Sequence, residues 1–156
     1  TPSNSSNNSV IDGWEFAAQH FFGESGFGVI ANYTLVNSDQ AYDNFSFDAQ
    51  SALIGISDTA NAVFVYENYG FQYNWRDEFL NSTGQGTGAN PQYTEAYSQI
   101  DLSVSYDVES VEGLTVFFEG LNITEEYIRV HGRADEQVLN LTETGARYSL
   151  GARYTF

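Results

Sequence analysis

From Gly13 onward, apolar and polar residues alternate with a period of two. Trp14, Phe16, Ala18, His20 and Phe22 share one parity, and Glu15, Ala17, Gln19 and Phe21 the other. Successive side chains of a strand point to opposite faces, so this pattern predicts a half-apolar β-strand. Gly23-Glu24-Ser25-Gly26 supplies a tight turn. Phe27 to Val36 returns, with Phe27, Val29, Ala31, Tyr33 and Leu35 on the greasy side and Gly28, Asn32 and Thr34 opposite.

The pattern then repeats along the chain. A long polar connection, Asn37 to Ser57, precedes an expected strand from Asp58 to Glu67. A turn at Asn68-Tyr69-Gly70 leads into Phe71 to Leu80, with Phe71, Tyr73 and Trp75 outward and Gln72, Asn74 and Arg76 inward. A second long connection, Asn81 to Tyr97, is rich in Gly, Asn and Thr. Ser98 to Val108 alternates most cleanly: Ile100, Leu102, Val104 and Tyr106 against Asp101, Ser103, Ser105 and Asp107. After a turn at Glu109 to Gly113, Leu114 to Val130 reads as one long strand whose phase slips; a bulge near Glu119-Gly120 is expected to absorb the slip. A third long loop, His131 to Gly145, leads to the final strand, whose greasy face is Tyr148, Leu150, Ala152, Tyr154 and Phe156.

Seven strands of about ten residues, with short turns at one end and long loops at the other, describe a transmembrane β-barrel wall. Aromatic residues gather at both strand ends, with Trp14, Tyr33, Trp75 and Tyr148 at the loop end and Phe22, Phe27, Tyr66 and Phe71 at the turn end, as interfacial girdles do. The competing architecture is a soluble β-sandwich with an aromatic core, which seldom has such one-sided loops. Single-chain bacterial barrels have even strand counts. Seven strands therefore imply the C-terminal part of a larger barrel: an extracellular loop over residues 1–12 and barrel wall over 13–156. Its two open edges are expected to pair with strands outside this chain, because unpaired backbone is untenable in lipid.

Composition narrows the function. The five basic residues, all Arg, face 21 carboxylates, for a formal charge of -16. That excludes a nucleic-acid partner, which needs basic patches. No apolar run reaches the roughly 18 residues of a membrane helix, but alternating strands escape that test. With no Cys, a disulfide framework and thiolate metal sites are excluded.

Several stretches resemble a known family. They are Gly120-Leu121-Asn122-Ile123-Thr124-Glu125-Glu126, then Gly132-Arg133, then Glu143 through Phe156, with Gly55-Ile56-Ser57-Asp58 and Tyr73-Asn74-Trp75-Arg76-Asp77-Glu78 upstream. Together they resemble the end of TonB-dependent outer-membrane receptors, in particular a subgroup abundant in Caulobacter- and Xanthomonas-like bacteria and associated with oligosaccharides. One departure is a spacing between Phe71-Gln72 and the following Tyr-Asn-Trp-Arg shorter than is usual there. The resemblance implies a barrel of about 22 strands closed around an N-terminal plug. It implies uptake of a scarce solute, an oligosaccharide or a siderophore, with no chemistry done on it and no cofactor. The implied partners are outer-membrane lipid and lipopolysaccharide, the plug and remaining barrel strands, TonB acting through the plug, and the barrel-assembly machinery. Tyr148, Leu150, Ala152, Tyr154 and Phe156 would form the assembly signal.

Candidate solute contacts follow from position and chemistry. Arg76, Asp101, Asn122 and Arg147 have inward parity, and Arg129 lies near the loop end. Among loop aromatics, Tyr42, Phe45, Phe47, Tyr93 and Tyr97, the tyrosines combine an apolar face with a polar tip suited to sugar rings; Tyr42 and Tyr93 are singled out. The alternative for each is lumen solvation or loop packing. The loop carboxylates Asp39, Asp43, Asp48, Glu95, Asp135 and Glu136 lack the spacing of a calcium loop, and no metal site is expected. Two other classes remain: a small structural or adhesive barrel, and a barrel hydrolase using His131.

Overall fold

A computed structural model describes residues 10–40, 42–46, 50, 52–84 and 90–156. The expectations placed on residues 1–9, Phe47 and Asp48 lie outside the described residues. Within them the chain is all-β. Its strands are β1 (Ile11–Phe21), β2 (Phe27–Ser38), β3 (Thr59–Tyr66), β4 (Tyr69–Arg76), β5 (Phe79–Ser82), β6 (Gln92–Thr94), β7 (Tyr97–Asp107), β8 (Leu114–Leu121), β9 (Tyr127–His131), β10 (Val138–Glu143) and β11 (Arg147–Tyr154). They form two antiparallel sheets, one of seven strands in the order β1-β2-β3-β4-β7-β8-β11 and one of four in the order β10-β9-β6-β5.

The seven-stranded sheet realises the alternation. Directly paired residues lie on the same face, so the register can be followed from edge to edge. His20 pairs with Val29, Val29 with Phe64, Phe64 with Phe71, Phe71 with Leu102, Leu102 with Gly120 and Gly120 with Tyr148. One parity is thus apolar across all seven strands. Aromatic pairs reinforce it, among them Phe27 with Tyr66 and Phe118 with Tyr148, at centroid separations of 4.3 and 5.9 Å. The opposite face carries an unbroken row of carboxamides, Asn32-Asn61-Asn74-Gln99, in register over four strands. On that polar face Phe117 lies over its cross-strand partner Gly151, where a Cβ would stand 2.3 Å from the ring.

The sheet is open. β1 and β11 are its two edges, each unpaired on its outer side. Among the described residues none covers the apolar face: Trp14 is 67% exposed, Leu150 82% and Phe156 fully so. Among the described residues, Leu80 is the sole buried core hydrophobe, and it belongs to the smaller sheet.

The structure corrects three boundaries. The turn between β3 and β4 is the pair Glu67-Asn68, with Glu67 at φ 48°, so Tyr69 and Gly70 already belong to β4. The stretch 114–130 is two strands in two sheets. β8 keeps unbroken register with β7 and β11 through Gly120, so no bulge forms there; the slip lies at 122–126, where Asn122 and Glu125 take positive φ of 51° and 57°. The long connections also contain strands. β5 follows β4, β6 precedes β7, β9 follows β8 and β10 precedes β11, so the smaller sheet continues four strands of the larger one past a line of breaks.

Candidate ligand pocket at the loop end

The line of breaks is held by side chains. Asn122 is 3% exposed. Its Oδ1 accepts the Glu126 amide at 2.9 Å, and its Nδ2 donates to the Glu126 carbonyl at 2.8 Å and to Thr144 Oγ1 at 3.3 Å. Asp101 Oδ1 accepts the Asn122 backbone amide at 2.8 Å and Gln99 Nε2 at 2.7 Å. Asn tolerates the left-handed backbone here because its short polar side chain bonds locally. Asp101 and Asn122, expected to face solute, are therefore committed to the joint.

Arg76 and Arg129 are anchors as well. Arg76 donates from Nε to Ser57 Oγ at 3.0 Å and from Nη2 to the Gly55 carbonyl at 2.5 Å, and its guanidinium lies 3.7 Å from the Phe79 ring centroid. This fastens the 55–57 segment to the end of β4, and Gly55 also donates its amide to the Leu80 carbonyl. Arg129 pairs with Glu95 and donates to the Asp135 carbonyl at 2.6 Å, tying β9 to the β6–β7 link. Arg147 starts edge strand β11 and is exposed. Tyr148, Leu150, Ala152 and Tyr154 lie on the apolar side of β11, and Phe156 follows two residues beyond it.

Tyr42 and Tyr93 do come together. The connection after β2 folds back over β5, leaving a cavity of about 290 Å³ lined by both tyrosines, Glu78, Asn37, Ser38, Gln40 and the apolar Val36, Leu53, Ile56, Phe79 and Leu80. Two hydrogen bonds hold the fold-back: Tyr42 Oη donates to the Thr83 carbonyl at 2.9 Å, and Tyr93 Oη to Asn44 Oδ1 at 2.7 Å. Burial raises the Tyr93 pKa; the Asn44 bond lowers it, and Tyr42 and Glu78 nearby raise it further, for a net upward shift.

Behind Tyr93 stands His131. The two are paired across β6 and β9, and the buried imidazole stacks on the phenol ring. Nδ1 lies 2.9 Å from the Gly132 carbonyl oxygen and Nε2 3.2 Å from Glu78 Oε2. Both neighbours are acceptors, so a ring protonated on both nitrogens satisfies both. Burial pulls the His131 pKa down, but Glu78, the Gly132 carbonyl and Asp135 outweigh it, and the net shift is upward. Glu78 is thus shared: it holds His131, its side chain is 46% exposed, and it forms part of the cavity wall.

Glu78 was invisible as a site residue in sequence, where it sits at the end of an aromatic-rich strand. His131 was legible only as one of two histidines. Their meeting joins residues 53 apart in the chain and depends on β6 pairing with β9, a pairing that no alternation announces. Among the described residues, no three His, Asp or Glu side chains are grouped to hold a metal ion. No protein-family model, curated protein or solved structure matches the chain.

Proposed function

We propose that the chain is the C-terminal part of the wall of a TonB-dependent outer-membrane transporter, taking up a scarce solute such as an oligosaccharide or a siderophore. The observation that carries this reading is the edge-to-edge apolar face left uncovered beside an almost empty core. Ordering a backbone costs about 1–2 kcal/mol per residue, and hydrophobic burial is the chief term that offsets it. With Leu80 alone as buried core among the described residues, we infer that the offset comes from what covers that face. Lipid covers such a face in a barrel, and aromatic residues at both strand ends suit the two membrane interfaces. The polar face with its carboxamide row then lines the lumen or meets a plug, and β1 and β11 pair with further wall strands. The smaller sheet and the 37–57 connection form the vestibule where solute first binds, while energy delivered through TonB drives its release inward.

The test is cell fractionation joined to uptake. The protein should sediment with outer membranes, resist extraction by carbonate, and migrate faster on gels unheated than boiled. Uptake of its solute should cease in cells lacking TonB. Recovery as a soluble species would overturn the reading.

A further inference from the structure

We propose that the loop-end cavity binds a small organic cation, an ammonium group seated between Tyr42 and Tyr93 against Glu78. The proposal rests on reading this end of the wall as the solute vestibule. Its volume of about 290 Å³ accommodates a group the size of a trimethylammonium head. Two tyrosines and a carboxylate are the chemistry that receives such a head: the aromatic rings attract positive charge through their quadrupoles, and the carboxylate supplies the counter-charge. Glu78 offers Oε2 to His131, while Oε1 has no protein partner among the described residues. Its side chain is half-exposed beside the cavity. Among the described residues no Lys, Arg or His side chain lines the space. The Arg76 guanidinium lies against Phe79 and is bonded to Ser57 and Gly55.

The arrangement also makes the site proton-sensitive. The imidazole of His131 is faced by Glu78 from the β4–β5 link, by Asp135 from the β9–β10 turn and by Tyr93 from β6. A protonated His131 and a bound ammonium both draw on the Glu78 charge, so each weakens the other. Cation affinity therefore rises as His131 loses its proton.

The experiment is titration calorimetry on the protein purified in detergent. The probes are choline and its uncharged isostere 3,3-dimethyl-1-butanol, compared at about pH 5.5 and 8.5. Choline should bind saturably and at least about tenfold more tightly than the isostere, a difference of about 1.4 kcal/mol, and more tightly at the higher pH. Glu78→Gln should remove the preference for choline and its pH dependence without weakening the isostere. His131→Gln should leave choline binding but abolish its pH dependence. If that buried substitution prevents folding, judged by loss of heat-modifiable migration, the Glu78→Gln comparison still decides. Equal binding of the two probes, binding of neither, or a choline affinity indifferent to Glu78→Gln overturns the proposal. Because binding is measured on purified protein, it is independent of uptake: choline binding with no TonB-dependent uptake would sink the transport reading alone.

Discussion

Tyr93 lies flat against His131, with ring centroids 5.3 Å apart and an interplanar angle of 12°. The histidine is buried between that phenol, the Glu78 carboxylate and the Gly132 carbonyl, and its folded pKa lies above the ordinary value of 6.5. A raised histidine pKa means that the folded state holds the proton more tightly than the unfolded chain. Its stabilisation is complete below pH 6.5 and is lost as pH climbs from there through the folded pKa. Amide exchange in β6 and β9 should therefore accelerate over that window in the wild type. In Glu78→Gln the acceleration should flatten, since the carboxylate that outweighs burial is gone. Exchange rates that ignore pH beyond the intrinsic chemistry would contradict the pairing.

Asn122 should be the costliest single side chain to remove. Truncation to Ala strands the Glu126 amide and carbonyl and places a Cβ residue without local hydrogen bonds at φ 51°. A loss of about 2–4 kcal/mol is expected, from two part-buried polar groups left unpaired together with the backbone strain. Asn122→Gly removes the same bonds but relieves the strain, so it should be milder by about 1 kcal/mol. Urea unfolding in detergent micelles, read by tryptophan fluorescence, separates the two. Equal destabilisation would remove the backbone part of the explanation.

The two faces of β11 should answer differently to one charge. Leu150 is 82% exposed on the apolar face, while Ser149 lies on the polar face and donates to Glu119 Oε2 at 3.2 Å. Leu150→Arg places a guanidinium on the proposed lipid side, at a cost of about 2–4 kcal/mol near the bilayer midplane. Ser149→Arg places it beside a carboxylate and should be tolerated. Folding yield into lipid vesicles, scored by heat-modifiable migration, compares them; equal yields would argue against a lipid-covered face.

Gly113 closes the turn between β7 and β8 at φ 81°, and its carbonyl accepts the Thr155 amide at 2.9 Å. A Cβ there would stand 2.1 Å from the Thr155 carbonyl oxygen, a backbone atom with little freedom to retreat. Gly113→Ala should cost about 1–3 kcal/mol and loosen the end of β11. Faster proteolytic trimming of the last residues would register it; unchanged trimming would show that this contact does not secure the terminus.

The strands of the larger sheet were readable because one of its faces is apolar from edge to edge, so every strand repeats the same alternation. The register of Phe64 with Phe71 follows from that alternation and a two-residue turn, whereas that of Phe71 with Leu102 is set across a long connection by the alternation alone. The smaller sheet obeys no such rule. β5 and β6 are four and three residues long, and β5 and β10 carry irregularities at Asn81 and Leu139 that interrupt any period. The slip in 114–130 was visible, but its position was not, because it depends on Asn122 and Glu125 adopting backbone angles that no pattern of hydrophobicity encodes. Tyr42 and Tyr93 were recognisable as the right kind of side chain. Their meeting across the cavity depends on the fold-back of the 37–57 connection over β5, which is held by Arg76 and by hydrogen bonds to backbone carbonyls.

The smaller sheet meets the larger one through four covalent links in a row, at residues 77–78, 95–96, 122–126 and 144–146. A body attached along a line keeps one easy motion, rotation about that line, like a flap on a strip of hinges. Sliding or twisting would stretch several links at once. Asn122 lies in the third of these links, and Asp101 of β7 holds its amide. The cavity walls, by contrast, come from β5 and β6 on the flap and from the connection that leaves β2. Tilting the flap would therefore carry the cavity with it, because Tyr42 bonds the Thr83 carbonyl, Tyr93 bonds Asn44 and Gly55 bonds the Leu80 carbonyl, while the larger sheet stays unchanged.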